Sequence, residues 1–310
     1  MLKNLARITL MASIALCAVA CGRDSPTSVA ASSDANPEAT VETSVKLAKQ
    51  GDVAALFEHV LPPADFARIK AEWNDKKGTP EPSEEDRQKF ADTMAKLTAP
   101  DAADTLYAQI EPDIRQFDAQ YQQQIPTMVA MGRGYLQGLV QQSAQLSASE
   151  KEQANSAIQA LAQWVEKTHF TDPALVKKAL AILSDTAREL DLKTLDEARA
   201  LNFDQSAPKL KVAINGLKKL FDVYGFSIDQ TLDSVKTEVV ANDGSTAKVK
   251  IDYTLLGTPL STESEMVRID DRWYGKDTIA KLREHEAQLP PTDATHAAEP
   301  EHAPEPETKD

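Results

Sequence analysis

The feature that most constrains this chain is a change of hydrophobic period near Gly225. Beyond it, Val235, Thr237 and Val239 alternate with charged or polar residues, and Asn242-Asp243-Gly244 supplies a hairpin turn. Ala247, Val249, Ile251, Tyr253 and Leu255 then interleave with Lys248, Lys250, Asp252 and Thr254. Strict alternation puts one set of side chains on each face, so this is a half-buried antiparallel strand. Gly257-Thr258-Pro259 predicts the next turn, Leu260 to Ile269 a returning strand, and Asp270-Asp271 a turn into Arg272-Trp273-Tyr274. A final helix is expected from Asp277 to Gln288. The expected unit is a three- to four-stranded antiparallel meander followed by a helix.

Before that point the period is 3.6. Ala39 to Leu61 carries an apolar stripe including Val41, Val45, Leu56 and Phe57, interrupted at Gly51-Asp52. Pro62-Pro63 starts a helix bearing Phe66, Ile69 and Trp73. Ser83-Glu84-Glu85-Asp86 opens another that should bury Phe90, Met94 and Leu97. Pro100, Pro112 and Pro126 read as punctuation. Ser147 and Asp172-Pro173 begin two more helices, and Pro208 to Phe226 reads as the last of the body. The fold class is therefore α+β, with a helical region over 39–226 and the sheet with its terminal helix over 227–289, packing with the helices.

Both ends lie outside this pattern. Residues 1–20 read as an export signal, with Lys3 and Arg7 ahead of an apolar run from Ile8 to about Leu16. That run falls short of the ~20 residues that span a bilayer. Ala18-Val19-Ala20-Cys21 resembles the bacterial lipobox, which implies cleavage before Cys21 and lipidation of that cysteine. Gly22, rather than Asp, after the cysteine implies sorting to the outer membrane, facing the periplasm. Residues 21–38 then form a tether of small and polar residues, and 290–310 an acidic tail rich in Pro, Ala and Glu. His296 and His302 in that tail make a poor metal site.

With 48 acidic against 34 basic residues the chain carries −14, and losing Lys3 and Arg7 would take it to −16. Such a balance opposes nucleic-acid binding, which needs clustered cations. The two cysteines, Cys17 and Cys21, rule out a disulfide framework. His59, His169 and His285 are dispersed, so no metal site is expected, and His59 reads as a satisfied residue at a helix end. There is no Gly-x-Ser-x-Gly elbow and no phosphate loop with its lysine, so neither an enzyme nor a cofactor is expected. Met131 to Gly138 contains Gly-x-Gly without a preceding strand. Gly134 and Gly138, four apart, read as a close helix crossing.

Two segments carry a family resemblance. Val45–Phe57 (VKLAKQGDVAALF) resembles the first helix of NTF2-like domains, and Val235–Tyr274, ending Asp-Asp-Arg-Trp-Tyr, resembles their terminal meander. The likeness covers the two ends of the ordered region and implies a curved sheet wrapped on helices around a pocket. Tyr253 and Trp273 are the candidate ligand-binding residues of such a pocket, although core packing is the default for Trp73, Trp164 and Trp273 alike. The layout also resembles lipoproteins of gamma-proteobacteria, and by analogy of type alone, periplasmic immunity lipoproteins. The expectation is a non-catalytic binding protein held to the membrane through Cys21, with a protein partner such as a basic secreted effector. The alternatives are a small-ligand binder or an envelope assembly or maintenance factor.

Overall fold

A computed structural model describes residues 36–75, 80–144 and 146–288; residues 1–35, with Cys21 and the segments read above as an export signal and tether, and the acidic stretch over 290–310 lie outside it. Twelve α-helices and four strands make up the described residues, in an α+β arrangement.

The first helix, α1 (Pro37–Gln50), starts where the Asn36 side chain accepts the Glu38 amide and Pro37 occupies the first turn. It ends at Gly51 with φ +67°, and the amides of Gly51 and Asp52 bond back to Ala48 and Leu47. That left-handed closure requires glycine, and it is why Gly51-Asp52 interrupts the stripe. Asp52 at once caps α2 (Val53–Val60) through the Ala55 amide. Helix α3 (Pro63–Asn74) follows, then α4 (Glu84–Thr98), which a Ser83–Asp86 capping box opens. Phe90, Met94 and Leu97 are only half-buried in α4, because it covers the edge of the body rather than entering it.

Two prolines do not punctuate. Pro112 lies inside α5 (Ala102–Tyr121) and Pro208 inside α10 (Phe203–Val223), which begins five residues before the expected start. The reason at α10 is local. Asn202 and Gln205 cap each other's amides, and the Phe203 amide donates to Asn74 Oδ1 at 2.8 Å. Phe203 also stacks edge-on against Phe66 and Trp73, with centroids 5.6 and 6.0 Å apart. Between them run α6 (Ile125–Gln142), α7 (Ala148–Lys167), α8 (Pro173–Leu190) and α9 (Leu195–Ala200). Trp164 of α7 packs among Phe170, Phe221 and Phe226 and donates its indole N–H to the Tyr224 carbonyl at 2.7 Å.

After the short α11 (Ile228–Asp233), strands β1 (Lys236–Asn242), β2 (Thr246–Leu255), β3 (Thr258–Ile269) and β4 (Arg272–Gly275) pair in sequence order, all antiparallel. Two hairpins turn on consecutive residues with positive φ, Leu256-Gly257 and Asp270-Asp271. This geometry matches the strand twist. The second hairpin turn thus sits one residue earlier than Gly257-Thr258-Pro259, and Pro259 belongs to β3. Helix α12 (Lys276–Gln288) closes the described chain.

The core joins the two ends of the sequence. Val41 and Val45 of α1 pack with Val249, Ile251, Met266 and Trp273 of the sheet, and Val249 is fully buried. The opposite sheet face carries ions, including Lys248–Glu263 at 3.0 Å and Lys250–Asp252 at 2.8 Å. Lys218 of α10, 7% exposed, reaches the last turn of α1, where its ammonium donates to the Lys49 carbonyl at 2.5 Å and pairs with Asp229. A cation at a helix C-terminus satisfies an orphan carbonyl there and complements the dipole.

Candidate interaction site

The two expected ligand residues, Tyr253 and Trp273, both lie at the core between α1 and the sheet. Trp273 is 3% exposed and belongs to the core against α1; Tyr253 packs partly buried at the margin of the same cluster. Neither lines either of the two clefts described below. His59 is bound within the fold: its Nε2 lies 2.9 Å from the Thr40 carbonyl, so that nitrogen carries the proton. Among the described residues no three His, Cys, Asp or Glu side chains gather as a metal site would need.

The perturbed carboxyls have structural causes. Asp243 is held well below the usual carboxylate range by the amides and hydroxyls of Thr246 and Ser245, the signature of a capped hairpin turn. Glu150 is lowered by its capping box at Ser147, and Glu197 by the backbone amides of Lys193 and Thr194. Glu42 moves the other way, raised by burial and by the neighbouring Glu38.

The surface that stands out is the pair α6–α7. From 119 to 149 the only charged residue is Arg133, in a chain of which 26% is charged. Helix α6 packs chiefly on α7. Arg133 faces that contact and donates to Gln159 Oε1 at 3.2 Å. The outer side therefore carries no charge. It presents Met128 (58% exposed), Met131 (71%) and Tyr135 (69%), with Leu136 and Leu139 about half exposed. Residues spaced three and four apart share one helix face, so these side chains form a continuous stripe. Gly132 sits in the middle of it. A Cβ built at Gly132, Gly134 or Gly138 meets nothing within 4 Å. The glycines read as a tight helix crossing thus face open space, because α7 contacts the opposite side of α6.

Along the α6–α7 seam runs an open groove of about 650 Å³. Gln137 and Gln141 of α6 form one wall, Lys151, Glu152, Asn155, Gln159 and Gln163 of α7 the floor, and Thr258 of β3 one end. Side-chain amides both donate and accept, and Lys151 and Glu152 add one charge of each sign, so such a lining suits a polar ligand with both kinds of group. Asn155 Oδ1 is buried there without a hydrogen-bond partner among the described residues. From Ala148 to Gln163 the floor is about 22 Å long at ~1.5 Å per residue. A second cleft, about 470 Å³, lies over the β1–β2 turn and is lined by residues including Asp243, Lys248, Glu265 and Lys276.

Catalytic and metal-binding motifs do not mark this site, because its residues bear no such chemistry. The signal that would have found it is the charge gap over 119–149. No helix among the described residues is long and apolar enough to cross a membrane. No known protein family matches the chain, and no curated protein or solved structure is similar to it.

Proposed function

We propose that this is a lipid-anchored binding protein of the bacterial envelope, tethered through Cys21 to the outer membrane, which recognises another protein and transforms no substrate. The observation that carries the reading is the amide-lined groove between α6 and α7. Its length suits roughly six residues of extended polypeptide at ~3.3 Å each. Gln137, Gln141, Gln159 and Gln163 offer the donors and acceptors that a main chain requires, and Asn155 Oδ1 calls for a donor. No aromatic ring is among the groove's lining residues to stack on a sugar face, which favours peptide over glycan. The net charge of −14 complements a basic partner and would accelerate encounter with it. In its most specific form the role is that of an immunity-type inhibitor of a periplasm-acting effector.

The test is capture from detergent-solubilised envelopes, followed by direct binding measurement with the recovered protein. The expected result is one basic exported protein, retained at moderate salt and released as salt rises. A Gln159→Leu/Gln163→Leu variant should bind it at least tenfold more weakly. Equal binding by that variant, or recovery of glycan in place of protein, overturns the reading.

A further inference from the structure

The outer stripe of α6 has a property beyond being apolar: it is self-complementary. We propose that two copies of this chain pair through α6, antiparallel, about a two-fold axis passing between Arg133 and Gly134. An antiparallel pairing centred there sets Met128 opposite Leu139 of the second copy and Met131 opposite Leu136. It also sets Gly132 opposite Tyr135. The two-fold repeats each contact, as an isologous interface requires. The tyrosine ring, 69% exposed in the single chain, then lies over the one position on the stripe with no side chain, where nothing stands within 4 Å. Large side chains face medium ones, and the largest faces the gap.

Electrostatics select this face for self-association. Two chains each carrying −14 repel one another, and the repulsion is least where neither presents a charge. The stripe contains no acidic residue, and the single cation of α6, Arg133, points into the α7 contact. The five large side chains expose on the order of 600 Å², against ~800 Å² per partner in a standard protein interface. The pair should therefore be real but modest in affinity, dissociating on dilution. It leaves the amide groove, on the other side of α6, free in both copies, so this proposal does not depend on the groove's occupant.

Sedimentation velocity on the purified protein over a range of concentrations tests the pairing. The unsubstituted protein should show a concentration-dependent monomer–dimer equilibrium. Gly132→Lys fills the gap and adds a charge, and should weaken dimerisation at least tenfold. Its thermal midpoint should not fall, because glycine is the poorer helix residue and the position is open. Register is read by oxidation: Met128→Cys/Leu139→Cys should give a disulfide-linked dimer. Met128→Cys alone should not, since its two copies lie about 16 Å apart along the axis at ~1.5 Å per residue. The unsubstituted protein, with cysteines at 17 and 21, is the control. A monomer at every concentration overturns the proposal, as does a dimer indifferent to Gly132→Lys or equal cross-linking by the single variant. Sedimentation of the monomer with lipid vesicles, abolished by Gly132→Lys, would assign the stripe to a membrane surface and would also overturn it.

Discussion

Gly216→Ala should destabilise this protein even though alanine is the better helix former. In an open helix the exchange is worth about 0.8–1.0 kcal/mol in favour of alanine. Gly216, however, is buried in α10 where that helix crosses α8, and a Cβ there would stand 2.6 Å from Thr186 Cγ2 and 3.1 Å from Thr186 Cβ. Neither helix can withdraw freely: α10 is tied through Lys218 to α1, and α8 lies against both α4 and α5. Overpacking of this kind costs about 1–3 kcal/mol, so the net loss should be about 1 kcal/mol. In a chain of this size that lowers the thermal midpoint by roughly 2–4 °C. The control is Thr186→Ala, which deletes the hydroxyl and γ-methyl; that hydroxyl only back-bonds the Ile182 carbonyl at 2.7 Å. In the Thr186→Ala background Gly216→Ala should become neutral or mildly stabilising, held below the full propensity gain by the surviving contact at 3.1 Å. Urea midpoints for the four proteins give a coupling of about 1–2 kcal/mol. A stabilising single variant, or the same change in both backgrounds, would show that the α8–α10 approach is not what requires glycine.

Three further outcomes follow from the titratable groups. Glu42→Gln should stabilise at neutral pH by removing a partly buried charge, and by about 0.2–0.5 kcal/mol more through loss of the i,i+4 repulsion with Glu38. Because the folded state raises the Glu42 carboxyl, its cost is present above that raised value and fades as pH falls through the range just above 4.5; the two urea midpoints should converge there. Asp243→Ala should weaken the β1–β2 turn, seen as faster amide exchange at Ser245 and Thr246. The folded state lowers that carboxyl, so its contribution is present above the ordinary 3.8 and persists well below it; a difference from wild type that vanishes by pH 4 would refute the assignment. His59→Ala removes a ring, 8% exposed, that joins α2 to the Thr40 carbonyl of α1, and should cost about 1–3 kcal/mol in urea unfolding at pH 7.

Legibility in the sequence followed the physics of each signal. The alternation from Val235 to Leu255 and the turns at Asn242-Asp243-Gly244 and Asp270-Asp271 are local, and they mark the meander directly. The Gly51-Asp52 break is equally local, because one residue both ends α1 and permits its closing turn. Pro112 and Pro208 misled because a proline forbids one hydrogen bond, whereas the neighbouring caps and aromatic contacts decide whether the helix continues. Periodicity tells which face of a helix is apolar and not what covers it. For Trp273 the cover is α1; for Met128, Met131 and Tyr135 nothing among the described residues covers them. The groove was hidden for a related reason: glutamines read singly carry no chemistry, and only the packing of α6 on α7 gathers them.

The union of α1 with the sheet also governs when this chain can fold. Thr237 bonds Glu38 across 199 positions, and Arg283 reaches Asp65 across 218. Val41 and Val45 have no core to enter until β2, β3 and β4 have been made. Such contacts close long loops before any burial rewards them, so they form late and slowly. Emerging from its N-terminus, the chain can assemble α6 with α7 at once but leaves its first helix waiting for nearly its whole length. An exported polypeptide must cross its membrane as an open thread. On the proposed export route, this order of assembly would keep the chain open until almost the last described residues have passed.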